Sequence, residues 1–175
     1  MTAPEFSRIV RADTLAEKPR RLEVAADEAE RTALALRFAL IGLGQLAADL
    51  TLSRRGDEIA LGGALRGVVT QACAATGEPV ESNVEALFEI LFRPQPAAGD
   101  GEEEVELGES ELDVVFYDSV AIDVGEAVAE TLALNLDPYP RAQGASEALK
   151  AAGVKSEEEA GPFAALANLR DKLNN

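Results

Sequence analysis

With no histidine in the chain, any chemistry falls to a single cysteine, a large surplus of carboxylates and a scatter of arginines. The missing imidazole removes the side chain best suited to proton shuttling near neutral pH, and the commonest metal ligand. A Ser-His-Asp or Cys-His site cannot be built within one chain, whereas carboxylate or lysine chemistry stays open. Cys73 opens the run C-A-A-T-G-E-P. One thiolate cannot make a tetrahedral structural zinc site, which takes about four Cys or His ligands. Its plain role is that of a small apolar residue near a strand end, with Glu78-Pro79 setting the turn. Glu102, Glu103, Glu104, Glu106 and Asp113 are the carboxylates that would hold Mg²⁺ in an RNA-processing hydrolase. Their Pro-, Ala- and Gly-rich surroundings predict a loop, whereas catalytic metal sites want rigid, supported ligands. The glycines at 42, 44, 62, 63 and 67 lack the lysine and helix start of a phosphate-cradling loop.

Contact chemistry concentrates at Asp137-Pro138-Tyr139-Pro140-Arg141. A tyrosine between two prolines presents an amphipathic ring at low entropic cost, as binding hot spots do. Arg141 is the first cation after a long acidic stretch and suits a phosphate or a carboxylate. The competing reading is that Tyr139 packs on the chain's own sheet and Arg141 pairs with a neighbouring acid. Arg20, Arg21, Arg54 and Arg55 are the main candidates for an RNA-facing patch, with solvated turns as the alternative. No arginine-rich arm and no aromatic-basic interleaving of the kind that stacks bases is present.

The net charge of −16 is unevenly placed. Residues 1–55 hold nine Lys or Arg against eight Asp or Glu, whereas residues 56–175 hold seven against twenty-four. Between Arg93 and Arg141 there are thirteen acids and no base. Such a field repels a phosphate backbone, whose binding depends on Lys and Arg displacing counterions. It attracts basic proteins and speeds their encounter at low salt.

The elements that must carry these residues read as α+β. The expected architecture is an antiparallel sheet, a meander, packed with two main helices, an acidic flexible loop and a loosely structured C-terminal tail. Residues 1–141 form the α+β domain with the loop at about 94–111, and 142–175 form the tail with a short docking helix. Phe6–Val10 and Leu22–Val24 are the first strands. Asp27 with Glu30 has capping-box spacing before a helix that ends around Ala39. Leu46, Ala48, Leu50 and Leu52 alternate as a half-buried strand, and Arg54 to Asp57 reads as a hairpin turn. Ile59 to Cys73 continues the sheet, with a bulge or close backbone approach at Gly62, Gly63 or Gly67. Thr76 to Pro79 turns the chain, Val84 to Phe92 returns it, and Leu112 to Tyr117 adds a short strand. Asp123 then caps a helix, with Glu126 placed to reach back and Val124, Val128 and Leu132 on one stripe. Pro138 and Pro140 end it. Phe163, Leu166 and Leu169, after Pro162, line one side of the last amphipathic turns, which are too short to stand alone.

Cys73 with Thr76 and Glu78-Pro79, then the helix from Asp123 into D-P-Y-P-R, then P-F-A-A-L-A-N-L from Pro162 to Leu169 before Arg170: in that order the chain resembles the YceD family. The resemblance implies a non-enzymatic ribosome-biogenesis factor supporting accumulation of large-subunit ribosomal RNA, without a cofactor. Many members carry a second cysteine where this chain has Thr76, so a metal or redox role suggested for those members does not carry over. Family genes often lie beside that of a small basic protein of the large subunit, which the resemblance offers as a partner. With the charge map, the expected mechanism is an acidic face that engages a basic ribosomal or assembly protein, with precursor rRNA touched by the basic edge. Direct rRNA binding is the alternative, and the Mg²⁺-dependent hydrolase is a third class. No membrane and no small-molecule substrate are expected. The absence of an apolar leader and of a disulfide framework fits the cytoplasm.

Overall fold

A computed structural model describes residues 4–95, 113–118 and 120–154. The C-terminal run Pro162–Leu169 and, beyond its first two residues, the acidic stretch 94–111 lie outside them, as do Glu102 to Glu106. The chain divides into two compact units, one of residues 1–71 and 81–138, the other of residues 72–80 and 139–175.

In the first unit, strands β2 (Arg20–Ala25), β3 (Gly42–Arg55), β4 (Glu58–Ala72), β5 (Pro79–Pro94) and β6 (Asp113–Tyr117) lie side by side in that order, the ends of β4 and β5 belonging to the second unit. A separate ribbon pairs β1 (Ile9–Arg11) with β7 (Ala121–Asp123). Helix α1 (Glu28–Arg37) follows β2, and α2 (Val124–Leu134) follows β7. The long central strands obey the alternation of their sequence. Leu46, Ala48, Leu50 and Leu52 are buried and face Gly67, Leu65, Gly63 and Leu61 of β4, while Gln45, Asp49 and Thr51 are exposed.

The α+β class stands, with a mixed rather than purely antiparallel sheet. β2 with β3 and β3 with β4 are antiparallel, but β6 runs parallel to β5, Ile90 opposite Asp113 and Pro94 opposite Tyr117. A parallel neighbour needs a connection of roughly a dozen residues or more, and the segment from 95 to 112 has that length. The expected first strand is also displaced. Phe6 is a fully buried core residue, and the strand starts at Ile9 to pair outside the main sheet. Against β3 the register runs unbroken through the glycines of β4, and the one shift of that pairing falls between Leu43 and Gln45. Gly63 instead makes room for Leu50 and Phe88, whose side chains lie 2.7 and 3.0 Å from where a Cβ would stand. Described residues hold three α-helices, not two, since α3 (Ala145–Ala151) forms in the second unit. Its sequence, A-S-E-A-L-K-A, is rich in strong helix formers.

Both capped helices sit where the sequence puts their caps. Asp27 and Glu30 make the full reciprocal box, at 2.9 and 2.8 Å. At α2 only half of the expected box forms: Asp123 accepts from Gly125 and Glu126 N–H, but Glu126 turns to Arg37 at 2.6 Å. Val124, Val128 and Leu132 are fully buried, each such aliphatic side chain contributing about 1.5–3 kcal/mol.

Candidate functional site

The second unit brings together two motifs that are far apart in sequence. Its turn, 72–80, closes on itself: Cys73 N–H donates to Glu78 C=O at 2.7 Å, and Gly77 N–H to Cys73 C=O at 2.9 Å. Gly77 takes φ +75°, a conformation that costs glycine nothing. The Thr76 hydroxyl donates to the Glu78 carboxylate at 3.1 Å. Glu78 and Pro79 thus shape the turn and the start of β5.

The segment 139–142 lies along this turn. Ala74 N–H donates to Pro140 C=O at 2.8 Å, and Ala142 N–H donates to the Cys73 sulfur at 3.3 Å. The sulfur also accepts from Ala75 N–H at 3.4 Å. These donors, the Ala142 N–H first, pull the Cys73 thiol down from 9.0 to about 6 against the opposing effect of burial. Cys73 is 3% exposed, so its sulfur is an internal acceptor joining the two motifs. No local pattern signals this contact, because the donor lies 69 residues away.

With Pro140 buried, its neighbours face outward. Tyr139 is 71% exposed. Arg141 is exposed and has no ion-pair partner among the described residues. Asp137 and Pro138 are exposed as well, and the Asp137 carbonyl accepts from the Gln71 side chain at 3.0 Å.

The four candidate RNA-facing arginines do gather at one end of the sheet, since Arg20 pairs with Leu52 and Arg21 with Thr51. Strand alternation then splits them, Arg20 and Arg54 to one face, Arg21 and Arg55 to the other. Arg54 is spent on structure: it donates to Gly56 C=O at 2.7 Å and Ala12 C=O at 3.1 Å and pairs with Asp57. Arg20, Arg21 and Arg55 are exposed. Elsewhere Arg8, Arg11, Arg37, Arg66 and Arg93 pair with Glu30, Asp13, Glu126, Asp49 and Glu58. Among the described residues no three His, Cys, Asp or Glu side chains are placed to share a metal ion, and no helix is long and apolar enough to cross a membrane.

The family model described as "Large ribosomal RNA subunit accumulation protein YceD" matches residues 61–170. No curated protein and no solved structure gives a significant match.

Proposed function

The chain belongs to the YceD family of large-subunit ribosomal RNA accumulation proteins, non-enzymatic factors of ribosome biogenesis, and from that premise we propose that it acts in the cytoplasm by binding a basic ribosomal or assembly protein. The observation that carries this reading is the use of the arginines. Six of them neutralise acids of the chain itself, while 32 acids stand against 16 bases overall. The unmatched charge is negative and favours a cationic protein over a bare phosphate backbone. Tyr139 and Arg141, exposed on either side of the anchored Pro140, supply a stiff aromatic contact and a cation for a carboxylate or phosphate. Pro162, Phe163, Leu166 and Leu169 are proposed as a second, apolar contact.

The test is titration of a basic large-subunit ribosomal protein into the full chain across a salt series. Binding should weaken by roughly tenfold or more between about 50 and 300 mM salt, and again when the acids of 100–113 are neutralised. Salt-independent or absent binding overturns the mechanism. A second reading, direct rRNA contact, is favoured by one observation: Arg20, Arg21 and Arg55 are exposed and outside the ion pairs of the described residues. It requires a steep salt slope in gel shifts with large-subunit rRNA fragments, lost on reversing those three charges.

A further inference from the structure

Strand β6 is the last strand of the sheet, paired with β5 on one side, and no strand among the described residues pairs with its other side. It is apolar at that edge, with Val115 38% and Phe116 57% exposed. An open, apolar edge is a template for another chain. Beside it a groove of about 320 Å³ runs between β6 and α2, with Ile90, Phe92 and Ile122 in its lining and Phe116 at its side. Four carboxylates also line it, those of Asp118, Asp123, Glu126 and Glu130, and no basic residue does. Two are already committed: Asp123 accepts from Ser7, Arg8, Gly125 and Glu126, and Glu126 holds Arg37. Asp118 and Glu130 are exposed, and neither pairs with a base among the described residues.

We infer that this edge and groove take an extended, basic segment of the protein partner, whose backbone pairs with β6, whose apolar side chains enter the groove and whose Lys or Arg side chains meet Asp118 and Glu130. The inference rests on the protein-partner reading above and gives it a place on the molecule. Backbone pairing to a sheet edge supplies affinity without sequence demands, and the alternate side chains supply selectivity. The charge argues against a second copy as the occupant, because it would bring another −16 to a rim that already carries only acids.

The test uses a six-residue probe of alternating Lys and Val, the same probe with alternate backbone amides methylated, and one of alternating Glu and Val. Each is titrated into the full chain by fluorescence anisotropy at low salt. The Lys-Val probe should bind. The methylated and Glu-Val probes should each bind at least roughly tenfold more weakly, and binding of Lys-Val should fall by about five- to tenfold in the Asp118→Asn/Glu130→Gln and Phe116→Ser variants. Asp118→Asn keeps the acceptor for Val120 and Ala121 N–H, and unchanged melting of both variants shows that their folds persist. Equal binding of the methylated and unmethylated Lys-Val probes to the wild type, or equal binding of the Lys-Val probe to the wild type and the variants, overturns the assignment. If the basic ribosomal protein still binds the same variants in a salt-sensitive way, the protein-partner reading survives that failure. Self-association of the free chain that is lost in Phe116→Ser would give the edge to a second copy and overturn the proposal too.

Discussion

A buried sulfur that stays ionised near neutrality depends on the donors aimed at it, and Cys73 has its donors from both motifs. Because its thiol is lowered to about 6 in the folded chain from 9.0, the unfolded chain binds more protons between those values. Stability from this group is therefore fully present above 9.0 and is lost as pH falls through about 6. Two measurements follow. Alkylation of Cys73 should be slow for a buried sulfur, yet its rate should titrate with a midpoint near 6; a midpoint near 9 would show that the Ala142 contact is absent in solution. Cys73→Ala should leave Ala142 N–H without its acceptor and speed hydrogen exchange at 139–142, while leaving exchange in α1 unchanged. Equal effects in both places would mean that Cys73 serves general packing and not the link between motifs.

At the scale of elements, two small residues occupy opposite situations. Gly125, in the first turn of α2, stands where an added Cβ would lie 2.5 Å from Phe6 C=O and 2.8 Å from Arg8 N. Both are backbone atoms and cannot swing aside, so Gly125→Ala should cost about 2–3 kcal/mol, read as a lower denaturation midpoint at unchanged slope. Ala39 ends α1 at φ +53°, with Leu40 N–H donating to Ala35 C=O and Ala39 N–H to Leu36 C=O, a helix stop that glycine fills more easily. Ala39→Gly removes a left-handed strain of about 1–2 kcal/mol and returns part of it through a looser unfolded chain. A net gain of about 0.5–1 kcal/mol is expected, and a loss would show that the positive φ is not held in solution. The caps of α1 and α2 were legible in the sequence because each lies within four residues of its partners. The long strands were legible from alternation. What escaped was non-local: the parallel pairing of β6, the β1–β7 ribbon, the reason Gly125 must be small, and the meeting of Cys73 with Ala142. Each depends on a second segment that no local pattern names. The hydrogen bonds of Arg54 were not legible either, because its partners, Ala12 among them, come from elsewhere in the fold.

Across the whole molecule, the acids that suit a cationic partner also work against the folded chain. Exposed ion pairs such as Arg11–Asp13 and Arg66–Asp49 add little to stability, and salt weakens them. Self-repulsion from a net −16 acts over the whole surface and is screened by the same salt, since the Debye length falls from about 30 Å at 0.01 M to about 10 Å at 0.1 M. Repulsion is the larger effect here, because half of the 32 acids have no base to balance them. Raising salt from about 10 to 200 mM should therefore raise the melting temperature of the free chain by a few degrees. The same change should weaken its complex with a basic protein, so that free chain and complex respond to salt in opposite directions. Sulfate and chloride compared at equal ionic strength separate screening from the burial-strengthening action of sulfate. A free chain whose melting temperature falls with added chloride would show that its internal ion pairs outweigh the repulsion. The surplus of acid would then be too weak a field to select a cationic partner.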